Sequence, residues 1–323
     1  MAKLLELRSL VVDLPTASGW VRPVNDLSLR IAPGESLGLV GESGSGKTML
    51  SLTLMGLLPP GACVSGEALL SAAEAPPKDL AKLHEEDDWR AVRGREIAMV
   101  FQEPMTSLNP VMRVGAQIEE AIRAHEPHVA GSHLERRVHA ALERAAVPEP
   151  DVRARQLPHQ LSGGLRQRVM IAMALAANPK LLIADEPTTA LDVTVQKQIL
   201  ELLDQLRREM ELALLFITHD LGVVAKVAHR VAVMYAGRII EEGPTQDVLL
   251  SPQHPYTQGL LAASPTIVRG QLIPIPGTVP QLATLPPGCA FAPRCGYRRA
   301  ECDHAVPAFR PPQSDHSARC VLL

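Results

Sequence analysis

The sequence predicts an α/β fold built on a parallel β-sheet, because short apolar segments alternate with amphipathic helical segments. Four short segments are rich in Val, Ile and Leu, like strands that a parallel sheet buries on both faces; they are residues 36–41, 97–102, 181–186 and 212–220. Apolar side chains recur at helical spacing in residues 132–147 and 194–210. This order is typical of a sheet with helices packed on its faces.

Three further regions depart from this alternation. Residues 230–243 are interpreted as two strands around an Ala-Gly turn, so an antiparallel β element is expected after the last parallel strand. Residues 61–96 contain the charged run KLHEEDDWR and are interpreted as an exposed insertion. From about Pro252 the chain is rich in proline, and residues 272–289 are too proline-dense for regular structure. This composition predicts a linker and a small appended module.

The length and composition exclude several classes of protein. With 323 residues the chain has room for about two domains. Its net charge of −3 gives no overall positive field for binding nucleic acid or an anionic membrane. No apolar run reaches the roughly 18 residues of a membrane span, and charged residues interrupt the N-terminal apolar stretch before a signal-peptide core can form. We therefore expect a cytosolic chain without a membrane span, in which the cysteines do not form disulfides.

Residues 41–48, GESGSGKT, fit the pattern Gly-x4-Gly-Lys-Ser/Thr and lie between a predicted strand and an apolar helical segment. In this arrangement glycines let backbone N–H groups curve around phosphates, Lys47 reaches the β- and γ-phosphates, and Thr48 places its hydroxyl on Mg²⁺. A glycine-rich turn without a ligand is the alternative interpretation. The residues predicted to bind nucleotide triphosphate are Gly41, Glu42, Ser43, Gly44, Ser45, Gly46, Lys47 and Thr48.

The segment LLIADEPTTALD at residues 181–192 ends an apolar strand in two carboxylates. Open α/β sheets bind their ligands at the carboxyl ends of the strands. Asp185 is therefore predicted to hold Mg²⁺ through its water shell, and Glu186 to orient or deprotonate the attacking water. An acidic turn after an edge strand is the alternative.

The segment LSGGLRQRVM at residues 161–170 places Ser162 and two glycines at the start of a helix. A hydroxyl, flexible backbone N–H groups and a helix N-terminus together form a second anion site. If the two anion sites lie on opposite sides of the molecule, one ATP cannot contact both sites of one chain. We therefore expect a head-to-tail dimer with ATP between the subunits. The alternative is that Ser162 caps the helix and the glycines allow close packing.

These motifs, taken in order, resemble the ATP-binding-cassette (ABC) superfamily, and specifically the nucleotide-binding subunits of dipeptide and oligopeptide importers. The resemblance runs nearly end to end through GESGSGKT, VFQEPMTSLNP, HQLSGGLRQRVMIAMALAANPKLLIADEPTTALDVTVQ, ITHDLGVVA, VMYAGRIIEEG, HPYTQGLL and GCAFAPRC. It implies a P-loop NTPase core of ABC type with a parallel sheet, an antiparallel β subdomain, a helical subdomain and a small Cys-rich C-terminal module. The implied domains are a nucleotide-binding domain at 1–250, with the helical subdomain at about 103–178, and a proline-rich module with four cysteines at 251–323.

The resemblance also implies residue roles. Gln102 would link Mg²⁺ and the lytic water to the transmembrane partner, and Asp192 would contact the dimer partner. His219 would reach the γ-phosphate, and Trp20 is the candidate for stacking on adenine. The signature residues, which would clasp the γ-phosphate held by the other subunit, are Ser162, Gly163 and Gly164. The implied hydrolytic residues are Glu186, His219 and Gln102, and the implied Mg²⁺ ligands are Thr48, Gln102 and Asp185.

The function that the resemblance implies is ATP hydrolysis that drives import of di- or oligopeptides, or a similar small solute. The implied partners are a second homologous ATPase subunit in a heterodimer, two transmembrane permease subunits and an extracytoplasmic solute-binding protein. The segment EPMTSLNP is the candidate permease contact, and the chain would lie peripherally on the cytoplasmic face of the inner membrane. The solute is left open among dipeptides, oligopeptides, nickel chelates, opines and glutathione.

Two other functions share these motifs. A soluble ATPase of the same superfamily that acts in DNA repair or translation would usually carry a coiled-coil insertion or two cassettes, and neither is found here. A regulatory cassette that binds ATP without turnover would usually lack the glutamate, the histidine or the signature, whereas this chain has all three.

The C-terminal cysteines are spaced C-x5-C-x6-C-x17-C at Cys289, Cys295, Cys302 and Cys320. Four thiols in a proline-rich segment with little aliphatic content suggest a module that needs a cross-link. Zinc, an iron–sulfur cluster and unligated cysteines are the alternatives, with His304 and His316 as substitute ligands. The resemblance to peptide importers favours a four-iron four-sulfur (4Fe–4S) cluster over Zn²⁺.

Overall fold

In a computed structural model, the described residues are 3–17, 19–71, 76–103, 107–189, 191–265, 267, 271–309 and 315–323. The chain divides into two compact units. The first unit combines Met1–Leu83 with Phe216–Leu323, and the second is His84–Leu215. The C-terminal residues thus fold in one unit with the N-terminal residues. A separate Cys-rich C-terminal module is therefore not supported.

The N-terminal residues of the first unit form a four-stranded antiparallel sheet in the order β2-β1-β4-β5, with strands numbered in chain order. The strands are β1 (Leu5–Thr16), β2 (Gly19–Ile31), β4 (Cys63–Leu70) and β5 (Lys78–Asp79). The prediction of an exposed insertion at 61–96 is wrong at its start, because β4 pairs with β1 and buries Ala68 and Leu70. The antiparallel β subdomain of the predicted fold corresponds to this sheet.

A second sheet of the first unit has the order β11-β10-β9-β3-β8. Its strands are β3 (Ser36–Val40), the last three residues of β8 (Ala213–Thr218), β9 (Arg230–Tyr235), β10 (Arg238–Pro244) and β11 (Ser317–Ala318). The predicted pair of strands in 230–243 is confirmed, and Ala236 and Gly237 form its turn with φ values of 46° and 86°. However, β9 is parallel to β3, so the antiparallel pairing begins only at β10.

The α-helices among the described residues of the first unit are Lys47–Leu54, Leu221–Val227, Thr245–Leu250 and Pro255–Ala263. Three aromatic rings join the C-terminal part of this unit to β9. Tyr235 of β9 packs on Tyr256 at a centroid distance of 4.6 Å and on Phe291 at 5.4 Å. Tyr235 and Tyr256 are both fully buried, so the C-terminal segment contributes to the core of this unit.

The second unit contains β6 (Ile97–Val100), β7 (Leu181–Asp185) and the first residues of β8, in the order β8-β7-β6. β6 and β7 are parallel, with Ile97 opposite Leu181. Every residue of both strands is buried, as the apolar runs predict for a parallel sheet. The predicted parallel core is therefore confirmed, although each strand is slightly shorter than its apolar run.

Within the described residues of the second unit, the α-helices are Glu86–Val92, Val114–Arg123, Gly131–Arg144, Pro150–Arg153, Gly163–Leu175 and Val193–Glu209. The two helices predicted from periodicity are both present. The first ends at Arg144 rather than at 147, because Ala146 adopts a left-handed φ of 53° that a helix cannot continue through. Among the described helices of either unit, none is both long and apolar enough to cross a bilayer.

Candidate functional site

In the first unit, the loop GESGSGKT joins β3 to the helix Lys47–Leu54, as its pattern predicts. A Cβ atom at Gly41 would lie 2.2 Å from the carbonyl oxygen of Met234, and one at Gly46 would lie 2.0 Å from that of Pro23. Gly44 has a φ of 79°, and outside its two chain neighbours no atom of the described residues lies within 4 Å of its Cβ position. Two glycines are therefore required by close packing, whereas the third keeps the exposed side of the loop open.

The charged and hydroxyl groups of this loop have the properties that phosphate binding requires. Lys47 is only 5% exposed, and its Nζ donates to the carbonyl oxygens of Gly41 at 2.7 Å and Glu42 at 3.0 Å. Ser45 is buried and its hydroxyl lies 3.4 Å from the same Nζ. Thr48, in the first turn of the helix, is exposed. Its hydroxyl is the hard oxygen donor that Mg²⁺ prefers, so the loop fits a magnesium-bound nucleotide.

Contacts from distant parts of the chain hold this loop, and its sequence pattern does not predict them. Tyr256 and Arg294 both bond to Glu42, from 214 and 252 residues further along the chain. The residues near Tyr256 and Arg294 in the sequence do not indicate these contacts, because residues so far apart in the chain meet only when it folds. Ser43, the remaining predicted loop residue, is exposed.

In the second unit, the acidic pair stands at the end of β7, as predicted. Asp185 is 2% exposed, and Glu186 is half-buried with a left-handed backbone φ of 46°. Glu186 Oε2 accepts a hydrogen bond from the Thr189 hydroxyl at 2.9 Å and from Gln102 Nε2 at 3.3 Å. The structure thus brings two predicted hydrolytic residues, Gln102 and Glu186, together. Thr189 is a further contact of Glu186, for which the sequence predicts no role.

The backbone of Glu186 lies in the left-handed region, as do those of seven other described residues that are not glycine. Such a conformation costs about 1–3 kcal/mol in a residue other than glycine. The Thr189 hydroxyl and the turn bond from Thr189 N–H to the Glu186 carbonyl at 3.1 Å fix this conformation. The carboxylate is therefore held in one place at the exposed end of a buried strand.

The signature residues stand at the N-terminus of the helix Gly163–Leu175. Ser162 is its N-cap, with Oγ accepting from the N–H of Leu165 at 3.4 Å. A Cβ at Gly164 would lie 2.7 Å from Cγ1 of Val195, so this glycine allows close packing of two helices. Capping and packing thus account for part of the motif. Ser162 and Gly163 are nevertheless exposed at a helix N-terminus, where an anion is favoured.

The other predicted site residues are also exposed. Asp192 caps the helix Val193–Glu209, with Oδ1 accepting from the N–H groups of Thr194 and Val195 at 3.0 and 2.9 Å. His219 follows β8 in the first unit. Trp20 is 57% exposed at the start of β2. Three roles stay predictions: contact of His219 with the γ-phosphate, contact of Asp192 with the dimer partner, and stacking of Trp20 on adenine.

The four C-terminal cysteines line a single cavity of about 20 Å³. Burial raises the pKa of the Cys289, Cys295 and Cys320 thiols, and the nearby Cys302 raises each of them further. A cavity of this size holds about one water molecule, which is less than an iron–sulfur cluster needs. Within the described part of the chain, no three His, Cys, Asp or Glu side chains are arranged to hold a metal ion.

The expected 4Fe–4S cluster is therefore not supported, and neither is the alternative zinc site. The expected substitute ligands do not join the cysteines either. His316 bonds to Glu241 Oε1 at 2.7 Å through its Nε2, and His304 does not line the cavity.

Comparison with known proteins agrees with this geometry. Residues 24–189 match the ABC transporter family, and residues 240–302 match the C-terminal region of oligopeptide/dipeptide transporters. The chain is 48% identical over 316 residues to the oligopeptide transport ATP-binding protein OppD of Bacillus subtilis (strain 168), covering 96% of this chain and 86% of that protein. It is 46% identical over 325 residues to the dipeptide transport ATP-binding protein DppD of the same strain, covering 100% and 95%.

Solved structures show the same fold. A dimeric post-hydrolysis state of an ATP-binding cassette bound to ADP and Pi aligns with a TM-score of 0.65 at 28% identity, over 75% of this chain and 98% of that one. The cbiO1 protein of Clostridium perfringens, part of the ABC transporter complex cbiONQ, aligns with a TM-score of 0.64 at 27% identity, over 78% and 92%. The chain therefore belongs to the ABC transporter family and is an ATPase of that family.

Proposed function

We propose that this ATPase drives import of di- or oligopeptides through separate membrane permease subunits. The observation that carries the proposal is the match of residues 240–302 to the C-terminal region of oligopeptide/dipeptide transporters. An ATP-binding cassette alone does not specify a solute, whereas this additional region and the two relatives named for oligopeptide and dipeptide transport both point to peptides.

The proposed hydrolytic roles rest on the position and contacts of each residue. In the first unit, Lys47 would bind the β- and γ-phosphates, and the Thr48 hydroxyl would be a Mg²⁺ ligand. In the second unit, the Asp185 carboxylate would be a Mg²⁺ ligand. When bound, magnesium would supply electrostatic stabilisation of the transferred phosphoryl group. Glu186 orients or deprotonates the attacking water, and its bonds to Thr189 and Gln102 hold its carboxylate in one position.

We further propose that the signature of one subunit binds the ATP held by the phosphate loop of its partner. The exposed Ser162 and Gly163 at a helix N-terminus support this arrangement, because one face of the signature is open to a partner. His219 would contact the γ-phosphate, Asp192 would contact the partner subunit, and Trp20 would stack on adenine. The partner ATPase is proposed to be a second, homologous chain.

The remaining partners are proposed to be two permease subunits and an extracytoplasmic solute-binding protein, which place this chain peripherally on the cytoplasmic face of the inner membrane. Residues 104–106 of the expected permease contact, EPMTSLNP, lie outside the described residues. We also propose a boundary near residue 250 between a nucleotide-binding domain and a C-terminal region. The helical subdomain at about 103–178 is a proposal too.

Mixing two inactive variants tests the shared site. Lys47→Ala removes the phosphate-binding lysine, and Ser162→Arg blocks the signature. If ATP lies between subunits, each variant alone hydrolyses no ATP, but a mixture restores part of the activity because some dimers contain one intact pair. If the partner is a second, homologous chain, Lys47→Ala of this chain is mixed with a partner that carries the substitution equivalent to Ser162→Arg. No recovery at high protein concentration would contradict the shared site.

Uptake by cells tests the solute. Deletion of the gene is expected to abolish uptake of labelled di- and tripeptides, and the parent chain, but not Glu186→Gln, restores it. Unchanged peptide uptake with loss of nickel-chelate, opine or glutathione uptake would contradict the peptide assignment while leaving the ATPase intact.

An iron–sulfur cluster in the C-terminal segment is retained only as a proposal with its own test. Its support is that four cysteines line one cavity, whereas the size of that cavity argues against it. Anaerobic purification with iron and zinc assays decides between the alternatives: about four iron atoms per chain would restore the cluster, one zinc would favour Zn²⁺, and metal-free folded protein would remove both.

A further inference from the structure

We propose that Arg294 is a positioning residue for the phosphate loop, through which the C-terminal segment sets the affinity of the ATPase for ATP. This inference goes beyond peptide import. It rests on the proposed assignment of residues 41–48 as the phosphate loop.

The contact between Arg294 and Glu42 has the geometry of a strong ion pair. The Arg294 guanidinium donates from Nη1 to Glu42 Oε2 at 2.7 Å and from Nη2 to Oε1 at 3.0 Å. Its Nε donates to the carbonyl oxygen of Pro276 at 2.8 Å, and its side chain is only 4% exposed. A two-point bond to a carboxylate fixes both partners in orientation as well as in distance.

Glu42 is held a second time at its backbone. Its N–H donates to the hydroxyl of Tyr256 at 2.8 Å, and Tyr256 is fully buried against Tyr235 and Phe291. Arg294 also lies 3.3 Å from the Tyr235 hydroxyl. Two C-terminal residues therefore fix both the main chain and the side chain of one loop residue.

The fixed residue is directly connected to the phosphate-binding lysine. The Glu42 carbonyl accepts a hydrogen bond from Lys47 Nζ at 3.0 Å. When Glu42 moves, one acceptor of that lysine moves with it, and the loop populates conformations that do not bind phosphate. The apparent dissociation constant for ATP then rises in inverse proportion to the population of the binding-competent loop.

The alternative is that the ion pair only stabilises the fold. A purely structural brace would lower the melting temperature on removal and leave the affinity of the folded protein for ATP unchanged. A positioning residue raises the dissociation constant and KM for ATP, while kcat at saturating ATP stays close to that of the parent chain. The split between KM and kcat therefore separates the two roles.

The test uses the full chain and measures ATP binding with a fluorescent ATP analogue, together with KM and kcat. Arg294→Gln and Glu42→Gln are each expected to weaken binding about tenfold or more, the effect of losing a charged hydrogen-bonded pair. Arg294→Lys keeps the charge but not the two-point geometry, so we expect an intermediate loss. In the double variant the loss stays within about twofold of the larger single effect, because both changes break one interaction.

Arg298→Gln is the matched control. It breaks an exposed arginine–carboxylate pair in the same segment, Arg298 with Asp303 at 2.9 Å, and is expected to leave ATP affinity unchanged. If Arg294→Gln does not fold, Arg294→Lys carries the test, since it keeps the buried charge beside Glu42 and loses only the two-point geometry.

Three results would overturn the proposal: parental ATP affinity in Glu42→Gln or in folded Arg294→Gln, full additivity in the double variant, or an equal loss in Arg298→Gln. Lys47→Ala tests the loop assignment separately. If Lys47→Ala binds ATP normally, the loop assignment itself fails. If Lys47→Ala loses ATP and Arg294→Gln does not, only the role of Arg294 fails.

Discussion

The phosphate loop and the acidic pair are held in place in different ways. Glu42 of the loop is fixed by Tyr256 and Arg294, more than 200 residues away along the chain. Glu186 is instead fixed by Thr189, three residues away, and by Gln102. The proposed phosphate loop therefore depends on long-range packing, whereas the carboxylate proposed to activate water depends mainly on a local turn. Changes far from the loop should alter affinity, and changes within the turn should alter rate.

Glu186→Gln is expected to have the largest effect, and it tests the carboxylate that the local turn holds. Loss of the base and water-orienting group is expected to lower ATP hydrolysis by about two orders of magnitude or more, while affinity for ATP stays unchanged. Steady-state hydrolysis and ATP binding are measured, and ATP-dependent dimers are expected to accumulate on a sizing column. Glu201→Gln, on the exposed face of a helix, is the control. Unchanged turnover in Glu186→Gln would remove the residue from the hydrolytic site.

The long-range packing around Tyr256, which holds Glu42, is tested by the pH dependence of the free energy of unfolding. Burial lowers the pKa of His254 to about 4, and its Nδ1 accepts from the Tyr256 N–H at 3.0 Å, which requires a neutral ring. On acidification the unfolded chain binds this proton first, near pH 6.5, so stability falls as the pH drops from about 6.5 toward 4. For this residue the expected loss by pH 5 is about 2 kcal/mol.

His254→Asn isolates that contribution, because asparagine can cap the same helix without titrating. Between pH 7.5 and pH 5, urea unfolding of the parent chain is expected to lose about 2 kcal/mol more than that of His254→Asn. Equal losses in the two proteins would show that His254 does not carry the effect.

A smaller effect is expected for Thr189→Val, which removes one hydrogen bond to the Glu186 carboxylate. Because one neutral donor contributes about 0.5–1.5 kcal/mol, kcat should fall about 2- to 13-fold with ATP affinity unchanged. Thr188→Val is the matched control, since the Thr188 hydroxyl contacts Gln196 rather than Glu186. An equal fall in both variants would mean that the turn, not the bond, matters.

The smallest expected effect concerns Asp192, the cap of the helix Val193–Glu209. Asp192→Ala removes an acceptor of two backbone N–H groups and should lower the free energy of unfolding by about 1 kcal/mol. Asp192→Asn keeps the cap and should stay within a few tenths of a kcal/mol of the parent. If Asp192→Asn also loses ATP-dependent dimers, the carboxylate acts at the partner subunit as well as in the cap.

The sequence predicted those parts of the fold whose signal is local. β3, β6, β7 and β8 were recognisable because strands buried on both faces are continuous apolar runs. β1 and β4 were missed, since each is recognised only by its pairing with the other across the sheet. The C-terminal segment was interpreted as a separate module because its composition changes there. Its burial against β9 depends on contacts that no composition reveals.

The candidate site divides in the same way. The phosphate loop, the acidic pair and the signature follow fixed patterns, so their positions at the ends of strands and helices could be predicted. Arg294 and Tyr256 could not, because an arginine in a proline-rich tail has no partner until the fold supplies Glu42. Thr189 lay within a recognised motif, but its bond to Glu186 depends on the left-handed backbone of the glutamate.

The left-handed backbone of Glu186 has a consequence for substitutions at this position. Glycine adopts a positive φ without cost, so Glu186→Gly would relieve local strain of about 1 kcal/mol or more at the same position. The same change would remove the carboxylate that accepts hydrogen bonds from Thr189 and Gln102, so the relief of strain is opposed by the loss of two contacts. Position 186 thus joins a strained backbone to a bonded side chain, and a substitution there changes both at once.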